Sequence, residues 1–423
     1  MRAHVRWILT FALLFAPSLD GAARAQPLDV LIQWNRILQT TVAGTPTPTI
    51  FFTRPYAITG VAVFDALNSI DHAYQPYLIE LSGSPNASRE AAIAQAAHDV
   101  LLALYPGQRT ALDAALAATL SSVSGSGVAE GARIGSDAAR AVLDSRATDG
   151  WDRQPPPYLL PSLPGFYQVT PPQNAAVTFT HYPDVTAFFL PDRLRFLAAQ
   201  PPALTSERYA TDLNQVKAIG SATSSIRTAE QSSIAQRWAA INTPTQFQHV
   251  WNDVLADFAR RMNSRAVDAA RAYALMSITM HDGLLNSFNG KFIYGLWRPV
   301  TAIREADRDG NPATTGDPTW LPFIPTPPYP SYPGNMTCMG AVGSRTLQRF
   351  VGGNEARFTV TWRGLQNNPD IVRPYNGFRE LADEQAKSRI YGGIHFWFDQ
   401  EASFGQCIPL TDYAFENVMR PRG

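Results

Sequence analysis

The stretch Ser388-Arg389-Ile390-Tyr391-Gly392-Gly393-Ile394-His395-Phe396-Trp397-Phe398-Asp399 decides how this chain reads. His395 and Asp399 are four residues apart, the helical spacing at which a carboxylate meets an imidazole and fixes which ring nitrogen carries the proton. The other nitrogen is then free to act as nucleophile or ligand. Gly392 and Gly393 each cost a helix about 1 kcal/mol relative to alanine, so their presence predicts a close backbone approach to another segment. Taken alone, the pattern also fits a helix-internal His-Asp pair beside a packing contact.

A second cationic stretch lies upstream, Lys291-Phe292-Ile293-Tyr294-Gly295-Leu296-Trp297-Arg298-Pro299. Seven residues are two helical turns, so on one helix Lys291 and Arg298 would point the same way. Cations among aromatic side chains are costly to bury unless an anion or a carboxylate compensates them. By itself the pair also fits a snorkelling lysine beside a structural ion pair.

The rest of the chain reads as helix. Ile93, Ala97, Val100, Leu101 and Leu104 form a stripe with Ser88 placed to cap it and Tyr105-Pro106-Gly107 to end it. Thr110 to Leu120, Gly131 to Val142, a region from Ser206, and the run from Val254 through Leu285 continue the pattern, and Cys338 to Phe350 and Glu380 to Asp399 read as two closing helices. No segment shows sustained period-two alternation, so the expected class is all-α, helical bundles joined by long proline-rich connectors at Trp151–Pro172 and Pro312–Pro333. The expected organisation is an export signal over 1–25, an N-terminal helical half over 26–150, a connector over 151–205, and a C-terminal half over 206–423 that carries the motifs.

Arg2 and Arg6, the apolar run Trp7–Ala16 and Ala23-Arg24-Ala25 make the opening an export signal, which predicts a periplasmic or secreted protein. No later run approaches the roughly 20 apolar residues that a membrane helix needs. Thirty-five Lys plus Arg balance thirty-five Asp plus Glu, so no global field favours nucleic acid as a partner. Cys338 and Cys407 are free to pair after export or to pack as small apolar side chains.

Lys-x6-Arg-Pro followed by Ser-Arg-x5-His-x3-Asp resembles the first and third signatures of the vanadium haloperoxidase and type 2 phosphatidic acid phosphatase superfamily. Gln33-Trp34-Asn35-Arg36-Ile37-Leu38 and the segment from Ala62 to Asp71 extend the likeness toward an exported bacterial haloperoxidase-like branch. The resemblance implies that Lys291, Arg298 and Arg389 neutralise the oxygens of vanadate, or of phosphate as a competing oxyanion. It implies too that His395 binds vanadium or attacks phosphorus, and that Asp399 orients it. Peroxide, halide and a small organic molecule are the implied partners, and pairing of two copies is left open.

The superfamily's second signature, Pro-Ser-x-His, falls on Pro333-Gly334-Asn335-Met336. Gly334 stands where the serine would be and Met336 where the histidine would be, while Asn335 keeps a side chain able to bind an oxyanion. A thioether moves no protons, and general acid-base groups contribute about 10²- to 10⁴-fold in rate, so standard activity should fall severely. Three functions remain in play: a haloperoxidase, a phosphomonoesterase, and a non-redox or inactive oxyanion-binding descendant. Of the upstream histidines, His281, beside Asp282, is the nearest to Lys291. Trp297, Trp320, Phe396 and Trp397 read as core or pocket wall, and they are also suited to shaping a halide or aromatic-substrate site.

Overall fold

A computed structural model describes residues 26–45, 52–239, 247–362 and 370–422; the expected signal at 1–25 lies outside them. The N-terminal helices are α1 (Pro27–Ala43), α2 (Thr53–Asp71), α3 (Arg89–Leu104), α4 (Arg109–Ser121) and α5 (Val128–Ser145). After a long irregular connector come α6 (Glu207–Ile219), α7 (Ala229–Ala239), α8 (Phe247–Arg261), α9 (Ala266–Tyr294), α10 (Pro299–Arg304), α11 (Asn335–Val351), α12 (Phe378–Tyr391) and α13 (Trp397–Asn417). Serines start two of these helices as the sequence predicts. The Ser88 hydroxyl accepts from Ala91 N and that of Ser206 from Tyr209 N, satisfying donors that a helix start leaves free.

The 29-residue α9 is the axis of the molecule. It is buried on nearly every side, packing against α2 of the N-terminal bundle and against α11 and α13 of the C-terminal one. A helix enclosed in this way has almost no solvent face, and the polar groups it buries, among them Asp282, Asn286 and Lys291, are met by partners from the surrounding segments. Gly283 on α9 leaves room for the Cys338–Cys407 disulfide, since a Cβ there would lie 2.7 Å from Cys338 Sγ. That bond ties α11 to α13 and answers the pairing question left open by the sequence. No described helix is long and apolar enough to cross a membrane.

Buried carboxylates hold the irregular segments. Asp65 on α2 accepts the backbone N–H groups of Tyr77, Leu78 and Ile79, and Asp282 on α9 accepts those of Phe188, Phe189 and Leu190. Through Asp282, the connector between α5 and α6 is pinned along the central helix.

The all-α class holds, with one small addition and two corrections. The chain is mostly helical, and β1 (Glu355–Trp362) and β2 (Ile371–Gly377) add one antiparallel hairpin. In β1, Phe358, Val360 and Trp362 turn inward while Thr359 and Thr361 turn out, a short period-two pattern. The stretch expected as one helix over Glu380–Asp399 is two, α12 and α13, broken at Gly392–Phe396. Lys291 and Arg298 likewise do not share a helix: α9 ends at Tyr294, Gly295 takes the left-handed conformation (φ 60°), and Arg298 is the N-cap of α10.

Candidate oxyanion site

The break between α12 and α13 builds the site. Gly393 has φ 77° and passes so close to Gly220 that a Cβ on it would lie 2.2 Å from the Gly220 carbonyl oxygen. This is the close approach that the glycine pair predicts. It turns the chain so that Arg389, in the last turn of α12, and His395, just before α13, come to one cavity. Asp399 reaches His395 not as an i,i+4 partner inside a helix but from the first turn of α13, where its carboxylate also accepts Phe396 N–H (3.2 Å) and helps cap that helix.

Arg298 is fully buried. Its Nε donates to Tyr329 O (2.7 Å), and its Nη1 donates to Ile394 O (2.9 Å) and to His395 Nε2 (3.0 Å). A guanidinium only donates, so Nε2 is the acceptor and the imidazole proton sits on Nδ1, which donates to Asp399 Oδ2 at 2.7 Å. Burial holds the His395 pKa well below the usual imidazole range, and Arg298, Lys291 and Arg389 push the same way. His395 is therefore a neutral base with a defined tautomer. Burial raises the Asp399 carboxyl to about 6, opposed first by the Ser331 hydroxyl, which donates to Oδ2 at 2.6 Å.

Lys291 is placed differently from the cation that sequence alone suggests. Its Nζ donates to the carbonyls of Pro330 (3.0 Å), Ser331 (2.6 Å) and Pro333. Burial, then Arg298, lower its pKa, yet three acceptors favour the ammonium because a neutral amine has only two protons to give. Lys291 thus fastens the loop before α11 and adds charge behind the site. Arg389 donates weakly to Trp238 O (3.5 Å), and burial draws its pKa down to about 10. Arg389 Nε and Arg298 Nη2 are buried with no acceptor in hydrogen-bond geometry. Tyr329 lies beneath two of the cations, 5.5 Å from Lys291 Nζ and 5.0 Å from Arg298 Cζ by ring centroid.

His395, Arg389, Asn335 and Met336 line a cavity of about 500 Å³. Around it three cations meet one carboxylate, an imbalance that a buried site cannot hold cheaply without an anion.

A model of the VCPO second helical-bundle domain matches residues 271–423, the part that carries all of these side chains. The vanadium chloroperoxidase of Curvularia inaequalis is 27% identical in an alignment 200 positions long that covers 36% of this chain and 32% of that relative. Among solved structures, a bacterial vanadium-dependent iodoperoxidase superposes with a TM-score of 0.75 at 22% identity, covering 93% of this chain and 96% of its own. A holo-type bacterial vanadium-dependent chloroperoxidase superposes with a TM-score of 0.65 at 17% identity, covering 95% and 94%. The chain has the fold of the vanadium-dependent haloperoxidases, and residues 271–423 match the second helical-bundle domain of that family. The match to the curated relative spans about a third of that protein's length.

Within this fold the segment Pro333–Met336, where the second signature falls, has its own structure. A Cβ on Gly334 would lie 2.8 Å from Gln400 Oε1, so Gln400 fills the space a serine there would enter. Gln400 is held by the Thr337 hydroxyl, which donates to its Oε1, and by its own bond to Phe396 O (3.1 Å). Met336 is held by Gln385, whose Nε2 donates to Met336 O (2.9 Å) and faces its sulfur at 3.7 Å. The indole N–H of Trp251 fixes that amide's orientation by donating to Gln385 Oε1 (3.0 Å).

His281 does not line the cavity. It is buried with Nδ1 3.0 Å from the Thr53 hydroxyl and its ring edge-on to Phe188. Trp297, Trp320 and Phe396 belong to the packed core under α6 and α10, and Trp397 is only half buried beside them. Ser331, Tyr329, Gln400 and Trp238 are the residues that sequence reasoning missed. Each meets its partner across 31 or more residues, and no local spacing announces them.

Proposed function

We propose that this chain is a vanadate-binding, haloperoxidase-like enzyme whose oxyanion site is intact and whose proton-handling group has been replaced. The observation that supports it is a buried, neutral His395 with its Nε2 lone pair directed toward Arg298, beside guanidinium donors on Arg298 and Arg389 that lack acceptors. That donor set fits a tetrahedral or trigonal-bipyramidal oxyanion. Arg298 and Arg389 would neutralise its oxygens, His395 Nε2 would be the attachment point once the anion takes the place of the Arg298 Nη1–H that it accepts here, and Asn335 would be one more polar neighbour. When bound, vanadate would supply a Lewis-acidic centre for oxidising halide with hydrogen peroxide.

This chain's own contribution is to hold the imidazole in one tautomer through Asp399, to fix Asp399 through Ser331, and to clamp the second-signature loop through Lys291. Met336 has no proton to give, so proton transfer falls to solvent and turnover should be slow. Export is part of the proposal: the basic and apolar opening and the Cys338–Cys407 disulfide both suit the periplasm or the exterior.

The test is equilibrium binding of orthovanadate to the purified protein with His395→Ala as control, followed by peroxide-dependent oxidation of iodide. Binding abolished in the variant, with slow iodide oxidation in the parent, supports the reading. Absence of binding in the parent defeats it. Phosphate release from a monoester without peroxide, inhibited by vanadate, would transfer the site to phosphohistidine chemistry on the same imidazole.

A further inference from the structure

Tyr329 reaches the site from a run of prolines, Pro327-Pro328-Tyr329-Pro330. Each proline fixes its own φ, and Pro330 also restricts the residue before it, so the backbone that carries the ring has little freedom left. The Tyr329 carbonyl accepts from Arg298 Nε at 2.7 Å, and the ring packs edge-on against Phe288 and Phe179, at centroid distances of 5.2 and 6.1 Å. Lys291 Nζ and Arg298 Cζ lie 5.5 and 5.0 Å from the same centroid, so the ring cannot turn away without giving up two cation–π contacts. A side chain fixed in this way is in place before any ligand arrives.

Its hydroxyl is the uncommitted part. Thr178 and Thr326 also bring hydroxyls to the cavity wall, and Gln173 an amide, but the Tyr329 hydroxyl stands beside the Arg298 guanidinium and the Asn335 amide, with Arg389 close by. A guanidinium only donates, so toward Arg298 the phenol oxygen accepts and its own proton is left for another group. Burial, opposed by Arg298 and then Arg389, holds the phenol pKa above its usual value, so the proton stays on the oxygen throughout the neutral range. Arg298 Nη2, Arg389 Nε and both side-chain polar atoms of Asn335 are buried without partners around it. Gly334 and Met336 offer an anion no side-chain donor; Tyr329 and Asn335 are the residues of the same segment that do.

We propose that Tyr329 is an oxyanion-binding residue of this chain: its hydroxyl donates to an oxygen of the bound anion while accepting from Arg298, and so supplies a hydrogen bond that Gly334 and Met336 cannot make. The role rests on the proposed oxyanion site. A phenol suits the place because three cations already face one carboxylate, and a neutral donor satisfies a further oxygen without adding charge that burial would penalise.

The experiment compares equilibrium binding of orthovanadate and of inorganic phosphate to the purified protein and to Tyr329→Phe. Phenylalanine keeps the ring among its neighbours and removes only the hydroxyl, so the anion-free melting temperature should stay within about 2 °C. Orthovanadate should bind about ten- to a hundredfold more weakly, the worth of a hydrogen bond to a charged group. In the unaltered protein the anion should also perturb the near-ultraviolet tyrosine difference spectrum, a signal that Tyr329→Phe abolishes and that a merely structural role would not produce. Affinity in Tyr329→Phe within about twofold of the parent overturns the inference and leaves the oxyanion site standing. A parent that binds the anion with no tyrosine signal overturns it too, however the variant folds. Absence of binding of either anion by the parent removes the oxyanion site, and the role of Tyr329 with it.

Discussion

Ser331→Ala isolates one hydrogen bond at the base of the site. The Ser331 hydroxyl is fully buried and donates to Asp399 Oδ2 at 2.6 Å, the same oxygen that accepts from His395 Nδ1 and Phe396 N–H. Alanine leaves almost no void, so the loss is that of the bond. A hydrogen bond to a charged group contributes about 1.5–3 kcal/mol and one to a neutral group about 0.5–1.5. The cost of the substitution should therefore depend on the charge of Asp399. Its folded carboxyl titrates at about 6, above the unfolded value, so ionisation of this group itself works against folding as pH rises from about 4 to 6. Ser331 is the largest influence resisting that rise, and removing it pushes the folded pKa higher still. At pH 5 the carboxyl is mostly protonated with or without Ser331, and the substitution costs about 1 kcal/mol; at pH 8 both forms are ionised and it costs about 2. Urea unfolding of both proteins at the two pH values measures the difference. Orthovanadate affinity should fall about tenfold, because the group that orients His395 is itself less firmly held. Equal destabilisation at pH 5 and pH 8 would refute the charge-assisted role of Ser331, and unchanged anion affinity would refute its place in the site.

Gly393→Ala should cost at least about 2 kcal/mol, since it combines a φ of 77° with a Cβ 2.2 Å from Gly220 O; loss of vanadate binding together with a lowered melting temperature would confirm that this crossing positions His395. Reducing the Cys338–Cys407 disulfide opens a loop closed across 69 residues and should remove about 4 kcal/mol on chain-entropy grounds, seen as a lower melting temperature with dithiothreitol at unchanged secondary structure. His98 on α3 is bonded to Asp99 (2.8 Å) and to Asp113 on α4 (2.9 Å), and Asp99 first and then Asp113 raise its pKa against the effect of burial. A raised histidine pKa gives stability that is complete below the unfolded value near 6.5 and lost as pH climbs through the folded value, so thermal stability should decline from pH 6 to 8 by about 1–3 °C and do so less in His98→Asn.

The helices were legible because each carries its own signal. Ser88 caps where the sequence places it, a helix begins after Ser206 as expected, and the stripe through Ile93 and Val100 faces the core. Phe358-Thr359-Val360-Thr361-Trp362 also alternates, but over too few residues to stand out as a sustained period-two pattern. At the site, Arg389 and His395 could be read together because one short turn joins them. Gly295 carried the information that Lys291 and Arg298 lie on different helices: its left-handed conformation ends α9 where a continuous seven-residue spacing would have carried on. Tertiary partners left no such trace. Lys291 meets three carbonyls 39 to 42 residues away, and Gln400 meets Thr337 across 63.

Gln400 bears on what substitutions are open to this protein. A lone Gly334→Ser would press its new Cβ against an amide that is already committed to Thr337 and to Phe396 O, and a lone Met336→His would displace the thioether from beneath Gln385. Each residue is held by a neighbour that packs on it. A serine and a histidine installed one at a time therefore pass through less stable single variants, and shortening Gln400 would have to come first.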